Sequence, residues 1–325
     1  MPRVRDDYNG ATREQVLDTI RRYGPKAACD KYGITRGQAA GLNWKDKHDV
    51  HQAHRAEVEA RYPQIPTIEE PPALEGDWLV VSDVQLPTTD YEFAERVGRV
   101  AERHCKDCQG LAVVGDFLNA DAFSVYSPLQ ALPTWQDELN AGRTLIAEWL
   151  KTFKRIVITL GNHEARFFKA LGGIMAARDL LALLTTDPRV TISIRDCATV
   201  DTDNGPWTLV HGSQYSRNQL WNPDRLAHKF QTHIVAGHEH HLAIGFDLHK
   251  RYVVIANGGL FDVSKMAYVQ LRTSTMPGMA RGFTMLRDGY ATLYGDDTFT
   301  DWASVLPRLY ASATPAPRSA RQAAR

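Results

Sequence analysis

Six short apolar runs, each closing on a polar residue, constrain this chain more than any other feature. DWLVVSD closes at Asp83, LAVVGD at Asp116, RIVITLGN at Asn162, WTLVHG at His211, THIVAGHEH at His238 and His240, and YVVIANGG at Asn257. The runs are short, rich in Val and Ile, and end at Gly or another turn former, which predicts strands. Amphipathic patterns over about 90–104, 136–153 and 164–184 predict helices between the early runs. This βαβ rhythm implies a largely parallel sheet covered by helices. GFTMLRDGYATLY predicts a late hairpin turning at Asp288-Gly289. A mixed sheet, or two packed sheets, would follow.

That architecture makes the polar endings informative, because sites in open α/β sheets form at the carboxyl ends of strands. One polar ending is unremarkable. Five consecutive runs that deliver Asp, Asp, Asn, His and His-x-His to one edge form a set of metal-ligand types. Mixed oxygen and nitrogen donors suit Mn²⁺, Fe or Zn²⁺ better than Mg²⁺ or Ca²⁺. Two such ions ~3.5–4 Å apart would polarise a phosphoryl group and generate hydroxide at neutral pH. Gly115, Gly161, Gly212 and Gly237 flank the ligands, where tight turns bring side chains together.

In order along the chain, Asp83-Val84-Gln85, GDFLN (115–119), GNHE (161–164), VHG (210–212) and GHEH (237–240) resemble the blocks DxH, GDxxD, GNH(D/E), H and GHxH of the calcineurin-like metallophosphoesterase family. The similarity spans all five blocks and is nearest to phage-encoded variants with SDxQxP in the first. It implies an α/β sandwich of two mixed β-sheets flanked by helices. It also implies that Asp83, Gln85 and His240 hold a first divalent metal, that Asn162, His211 and His238 hold a second, and that Asp116 bridges them. Mn²⁺ is the foremost choice, with Fe, Zn²⁺ or Ni²⁺ as options. By the same resemblance His163 is the catalytic residue, a general acid that protonates the leaving oxygen.

Two residues depart from that pattern. Gln85 stands where the family usually has His; its neutral amide oxygen is a weaker and harder donor, so the first metal is expected to bind more weakly and to lean towards Mn²⁺. Asn119 replaces the last Asp of GDxxD, with Asp121 near enough to compensate. GNHEAR also resembles the corresponding block of Ser/Thr protein phosphatases. Those enzymes place Arg before that Gly and another after the second block, whereas this chain has Leu160 and FLNADAF. A singly charged phosphodiester needs less clamping than a phosphomonoester, so the expectation is a phosphodiesterase acting on nucleic acid, a DNA nuclease foremost. A broad-specificity phosphatase or a small or cyclic nucleotide phosphodiesterase is the alternative, and a non-catalytic DNA-binding adaptor the third. Asn119, Arg143, Arg166 and His241 are the expected substrate contacts. Phe123, Tyr126 and Trp135, in the segment after the second block, either stack bases or cap the core.

Residues 1–62 are polar and helical in pattern, and predict a small all-α module. Val16, Ile20 and Tyr23 recur at helical spacing in a first helix, and Pro25 suits the start of a second. A Gly33-Ile34 turn follows, with Thr35 as N-cap, and the pattern resembles a helix-turn-helix. Its recognition helix would run from Thr35 to about Asn43 and present Arg36, Gln38 and Asn43 to DNA, with Trp44 closing the core. A docking or oligomerisation bundle is the other reading, and a homodimer is among the options for assembly. Residues 63–76, with four prolines and three glutamates, predict a linker. Residues 77–297 form the expected phosphoesterase domain, and 298–325 a C-terminal segment with an Ala/Pro/Arg tail whose Arg318, Arg321 and Arg325 would add phosphate attraction.

Net charge is zero, so global charge does not select nucleic acid. Four cysteines are too few for a disulfide scaffold in 325 residues. MPRVRDDYNG lacks the apolar core of a signal peptide. A reduced, cytoplasmic protein is the expectation. Cys105 and Cys108 are expected as partly buried thiols, His48, His51 and His54 as one solvated helix face, and His228, His233 and His249 as structural residues.

Overall fold

The computed structural model describes residues 8–61, 70–124, 133–172, 174, 176–266, 269 and 278–307. The chain divides into two compact units, Met1–Ile68 and Glu69–Arg325.

In the first unit, α1 (Arg13–Tyr23) begins at a Thr12–Gln15 capping box, which satisfies two otherwise orphaned backbone donors. The second helix, α2 (Pro25–Tyr32), has proline at its first position and ends at Gly33 in the left-handed region (φ 63°). A second capping box, Thr35 with Gln38, starts α3 (Arg36–Glu59). Val16, Leu17, Ile20, Ala28, Ile34, Ala39 and Leu42 form the core. The Arg21 guanidinium ties α1 to α3 through two hydrogen bonds to Asp46, at 2.9 and 2.5 Å.

Three expectations for this unit need correction. The third helix does not stop near Asn43 but runs for 24 residues. Trp44 is 69% exposed and stacks on His48 (5.1 Å) rather than closing the core. Two residues past Leu42 is about 200° around a helix, so the indole lies on the opposite face. Tyr23 is exposed as well. Arg36 is exposed and Asn43 half-buried. The Gln38 amide is occupied in the cap, where its oxygen accepts from the Thr35 N–H (2.8 Å). His48, His51 and His54 are exposed.

The second unit is two six-stranded mixed sheets packed face to face with helices on the outside. Residues 73–75, at the end of the expected linker, are strand β1 (Ala73–Glu75). Next come β2 (Trp78–Val81), β3 (Gly110–Val114), β4 (Ile156–Thr159), β5 (Val190–Ser193), β6 (Cys197–Asp201), β7 (Trp207–Val210), β8 (His233–Ala236), β9 (Leu242–Phe246), β10 (Val253–Asn257), β11 (Gly282–Arg287) and β12 (Tyr290–Gly295). One sheet has the order β12-β11-β2-β3-β4-β5 and the other β1-β6-β7-β8-β10-β9. Within the first, β2 to β5 are parallel, and the β11–β12 hairpin adds antiparallel to β2. Asp288 (φ 52°) and Gly289 (φ 78°) both take the left-handed region that its two-residue turn requires.

Side-chain alternation places the layers. Trp78, Val80, Ala112, Val114 and Val157 of the first sheet pack between the sheets against Val200, Trp207, Leu209, Val235 and Ile255 of the second. Leu79, Val81, Leu111, Val113 and Ile158 point the other way. There they meet α4 (Tyr91–His104), α5 (Trp135–Trp149), α6 (Asn162–Ala170) and α7 (Ala177–Leu184). The outer face of the second sheet is covered by α8 (Trp221–Phe230). Strands buried on both faces are the physical reason the runs are continuously apolar. The helix expected over 164–184 is two helices, α6 and α7, the first ending at Ala170, two residues before Gly172 (φ 58°). Cys105 and Cys108 are buried free thiols against this core. Among the described residues no helix is long and apolar enough to cross a membrane.

Leu79 is fully buried beneath the helical layer. Leu79→Ala should therefore lower the free energy of unfolding by ~2–5 kcal/mol, read from the shift of the urea midpoint at constant slope.

Candidate metal centre

The carboxyl ends of β2, β3 and β4 in one sheet, and of β7 and β8 in the other, carry Asp83, Gln85, Asp116, Asn162, His211, His238 and His240. The side chains fall into two groups. In the first, His240 Nε2 lies 3.1 Å from Asp83 Oδ1 and 3.0 Å from Gln85 Nε2. In the second, His211 Nε2 lies 3.2 Å from Asp116 Oδ2 and 3.0 Å from Asn162 Oδ1, and the His238 ring stands edge-on to His211 at 5.2 Å. Asp116, His211 and His238 bring ligand atoms within 4.8 Å of one another.

The two carboxylates are built alike. Asp83 Oδ2 accepts from the His238 backbone N–H (3.0 Å), and Asp116 Oδ1 accepts from the His163 backbone N–H (2.9 Å) in the first turn of α6. A helix N-terminus favours the negative charge. In each case the other oxygen is turned inward to an imidazole. Asp83 Oδ1 is buried with no hydrogen-bond donor. The ring of His211 donates from Nδ1 to the Val114 carbonyl (3.0 Å), so in the neutral ring Nε2 presents a lone pair towards the oxygens of Asp116 and Asn162. Three electron-rich atoms facing one another need a proton or a cation between them. With only a proton available, burial disfavours the imidazolium but Asp116 overrides it and pushes His211 up to about 10. Asp116 is correspondingly held far below the usual carboxylate range, against its own burial. An oxygen/nitrogen donor set with an orphaned buried carboxylate oxygen fits a divalent cation.

Backbone strain gathers at the same place. Ten described non-glycine residues have positive φ, and five of them are Asp83, Gln85, Asp116, His238 and His240 (49–74°). Such conformations persist only where surrounding structure enforces them, and they mark functional sites.

His163 and its neighbours adjoin the second group. Its Nδ1 donates to the Asn119 carbonyl (2.7 Å), and its Nε2 lies 3.6 Å from Asp116 Oδ2. Arg166 donates to His163 Nε2 (3.0 Å) and to the Asn119 carbonyl (3.2 Å), and lies 3.5 Å from Asp121. Burial, with the Arg166 guanidinium, lowers the His163 pKa against the pull of Asp116. Asn119 acts here through its backbone oxygen, while its side chain donates to Asp121 (2.5 Å).

Two expected substrate contacts are engaged within the protein. Arg143 is not brought to this group: it donates to the Leu183 carbonyl (2.9 Å) and to Asn140 (3.0 Å), tying α5 to the end of α7. His241 is buried, and its Nε2 donates to the Ser216 carbonyl (2.9 Å). Of the three aromatics after the second block, Phe123 and Trp135 cap the core around Phe167, with ring centroids 5.0–5.2 Å apart. Tyr126 lies outside the described residues. One residue carries more than its sequence suggested. Glu164, almost fully buried, accepts from the backbone N–H groups of Asp116 (3.1 Å), Leu118 (2.8 Å) and Gly161 (2.9 Å), and so clamps two of the site's loops together. Its signal was its place three residues into α6, where a carboxylate reaches back to the cap.

No protein-family model matches the chain, and no curated protein matches it. Several solved structures are similar. A crystallised single mutant of Vps29 from Entamoeba histolytica is 10% identical with a TM-score of 0.34, over 67% of this chain and 97% of that one. Vps29 from Chaetomium thermophilum is 9% identical with a TM-score of 0.36, over 68% and 92%. The Thermotoga maritima protein TM1076 is 15% identical with a TM-score of 0.32, over 68% and 98%. At these values the chemistry of the site has to be read from its own geometry.

A Cβ on Gly161 would lie 2.1 Å from Asp116 Oδ1 and 2.3 Å from the Asp116 backbone nitrogen. Gly161→Ala should displace Asp116 and reduce the divalent metal bound by about half or more, measured by mass spectrometry of the desalted protein after loading.

Proposed function

We propose that this chain is a metal-dependent phosphodiesterase that cleaves nucleic acid, DNA foremost, with two divalent ions of which Mn²⁺ is the best match. The observation that carries this reading is the convergence of two oxygen/nitrogen donor groups, each drawn from both sheets at their shared edge and each with a buried carboxylate oxygen turned inward. In this proposal Asp83, Gln85 and His240 hold one ion, Asn162, His211 and His238 hold the other, and Asp116 is shared. When bound, such a pair polarises a phosphoryl group and supplies a hydroxide at neutral pH.

The chain's own residues do the rest. Asn119 fixes the His163 ring through Nδ1, which leaves Nε2 facing the Asp116 side of the centre. At rest Nε2 takes an Arg166 N–H. An arriving phosphate would draw the Arg166 guanidinium to itself and favour uptake of a proton at Nε2. His163 then hands that proton to the leaving oxygen. Nucleic acid is favoured over a phosphomonoester because Leu160 and the FLNADAF stretch supply none of the clamping arginines that a dianion needs. The helical unit adds support, with the exposed Arg36 at the start of α3 as its proposed DNA contact.

With Mn²⁺, the protein should hydrolyse bis-p-nitrophenyl phosphate and cleave single- or double-stranded DNA in preference to p-nitrophenyl phosphate. Monoester turnover without diester turnover would sink this reading. His163→Ala should cut diester hydrolysis by ~10²–10⁴-fold while the metal content of the protein stays the same. Deletion of residues 1–62 should weaken DNA binding in an electrophoretic shift assay yet leave bis-p-nitrophenyl phosphate turnover unchanged; equal DNA affinity would remove the helical unit from the proposal.

A further inference from the structure

Helix α8 and the turn between β9 and β10 bring together a second cluster of ligand-type side chains, in addition to the centre described above. Asp224 and His228 are four residues apart on α8 and so share one helix face. Asp247 follows β9, and the ligand atoms of Asp224, His228 and Asp247 lie within 4.8 Å of one another. His228 Nε2 is 3.7 Å from Asp224 Oδ1 and 3.8 Å from Asp247 Oδ2. The His249 ring stands edge-on to His228 at 5.0 Å.

These separations are longer than a hydrogen bond and leave room for an ion between the groups. A hydrogen-bonded imidazole sits ~2.7–3.2 Å from its acceptor, and His228 reaches neither carboxylate at that range. A tetrahedral ion with ligand bonds of ~2.1 Å instead sets its ligand atoms ~3.4 Å apart, within a few tenths of an ångström of the two distances from His228.

The site is also pre-organised. The Asp247 side chain is 1% exposed. Its Oδ1 accepts from the backbone N–H groups of Arg251 (2.6 Å) and Tyr252 (2.7 Å), and its Oδ2 from His249 (3.1 Å). These three backbone donors fix the carboxylate and aim its oxygens. Asp224 Oδ1 accepts from the Leu248 N–H (2.7 Å), which fixes the helix against the turn. Each carboxylate oxygen facing His228 keeps a free lone pair.

We propose that Asp224, His228 and Asp247 bind a divalent ion of the zinc class, with His249 within reach of the fourth position. Two carboxylates and one or two imidazoles are a donor set for Zn²⁺ rather than for an all-oxygen ion. The ion would staple α8 to the β9–β10 turn and stabilise the outer layer of the second sheet.

The test is a Zn²⁺ titration of the full-length, metal-stripped protein, with bound zinc counted by mass spectrometry and affinity read by calorimetry. The wild type should take up one more equivalent per chain than His228→Ala or Asp224→Asn, or bind that equivalent at least tenfold more tightly. Asp224→Asn retains an oxygen for the Leu248 N–H, and circular dichroism checks that both variants fold. Equal zinc stoichiometry and affinity in the wild type and both folded variants would overturn the proposal. The readout is a metal count, so its outcome is separate from that of the phosphodiesterase reading.

Discussion

Asp83 and Asp116 are carboxylates withdrawn almost completely from water, and the rest of the second unit is arranged around what that burial demands. An isolated buried carboxylate costs several kcal/mol, so each must be met by donors or by a cation. Each spends one oxygen on a backbone N–H, from His238 or His163, and turns the other towards an imidazole. To make those contacts the chain leaves the strands through left-handed residues at Asp83, Gln85, Asp116, His238 and His240. The strain is tolerable because tightly packed strands on both sides leave the turns no alternative path.

The two donor groups draw on both sheets, so the centre exists only if the sheets are locked in relative position. The interior between them does most of this through large buried side chains such as Trp78 and Trp207. Buried polar ties at the site's edge add direction. Asn257, at the end of β10, donates to the Val80 carbonyl (3.3 Å) and accepts from Thr284 of β11 (2.7 Å). Ser82 donates to the Gly258 carbonyl (3.0 Å). These bonds cross from one sheet to the other beside Asp83, and a buried polar network that is satisfied in this way specifies one register.

Much of this was legible along the chain. The six runs that close on ligand-type residues became β2, β3, β4, β7, β8 and β10 because strands covered on both faces must be apolar throughout. The Asp288-Gly289 turn was legible because few residue pairs take two left-handed positions in succession. Four strands were not foreseen. Three of them, β1, β5 and β9, lie at sheet edges, where one side is unpaired and burial is partial, and β6 adjoins β1. Their sequences carry little periodicity to detect. The helical break after Ala170 and the outward Trp44 were missed for the same kind of reason: local pattern does not say where a neighbouring element will be.

The sequence alone determined the chemistry on offer: which residues end the strands, that they mix carboxylate, amide and imidazole donors, and that glycines stand beside them. Those features follow from residue type and from the two-residue period of a strand, which are local. Only the tertiary structure decided the distances and the tethers. It brought seven donors together in the two sets that the resemblance had implied, tethered His163 through the carbonyl of Asn119, turned Arg143 to the carbonyl of Leu183 at the end of α7 and gave Glu164 three backbone amides to hold. It also gathered Asp224, His228 and Asp247 from two elements that no sequence pattern links. Distances of that kind depend on how two sheets and their covering helices pack, and packing is a property of the whole chain rather than of any stretch of it.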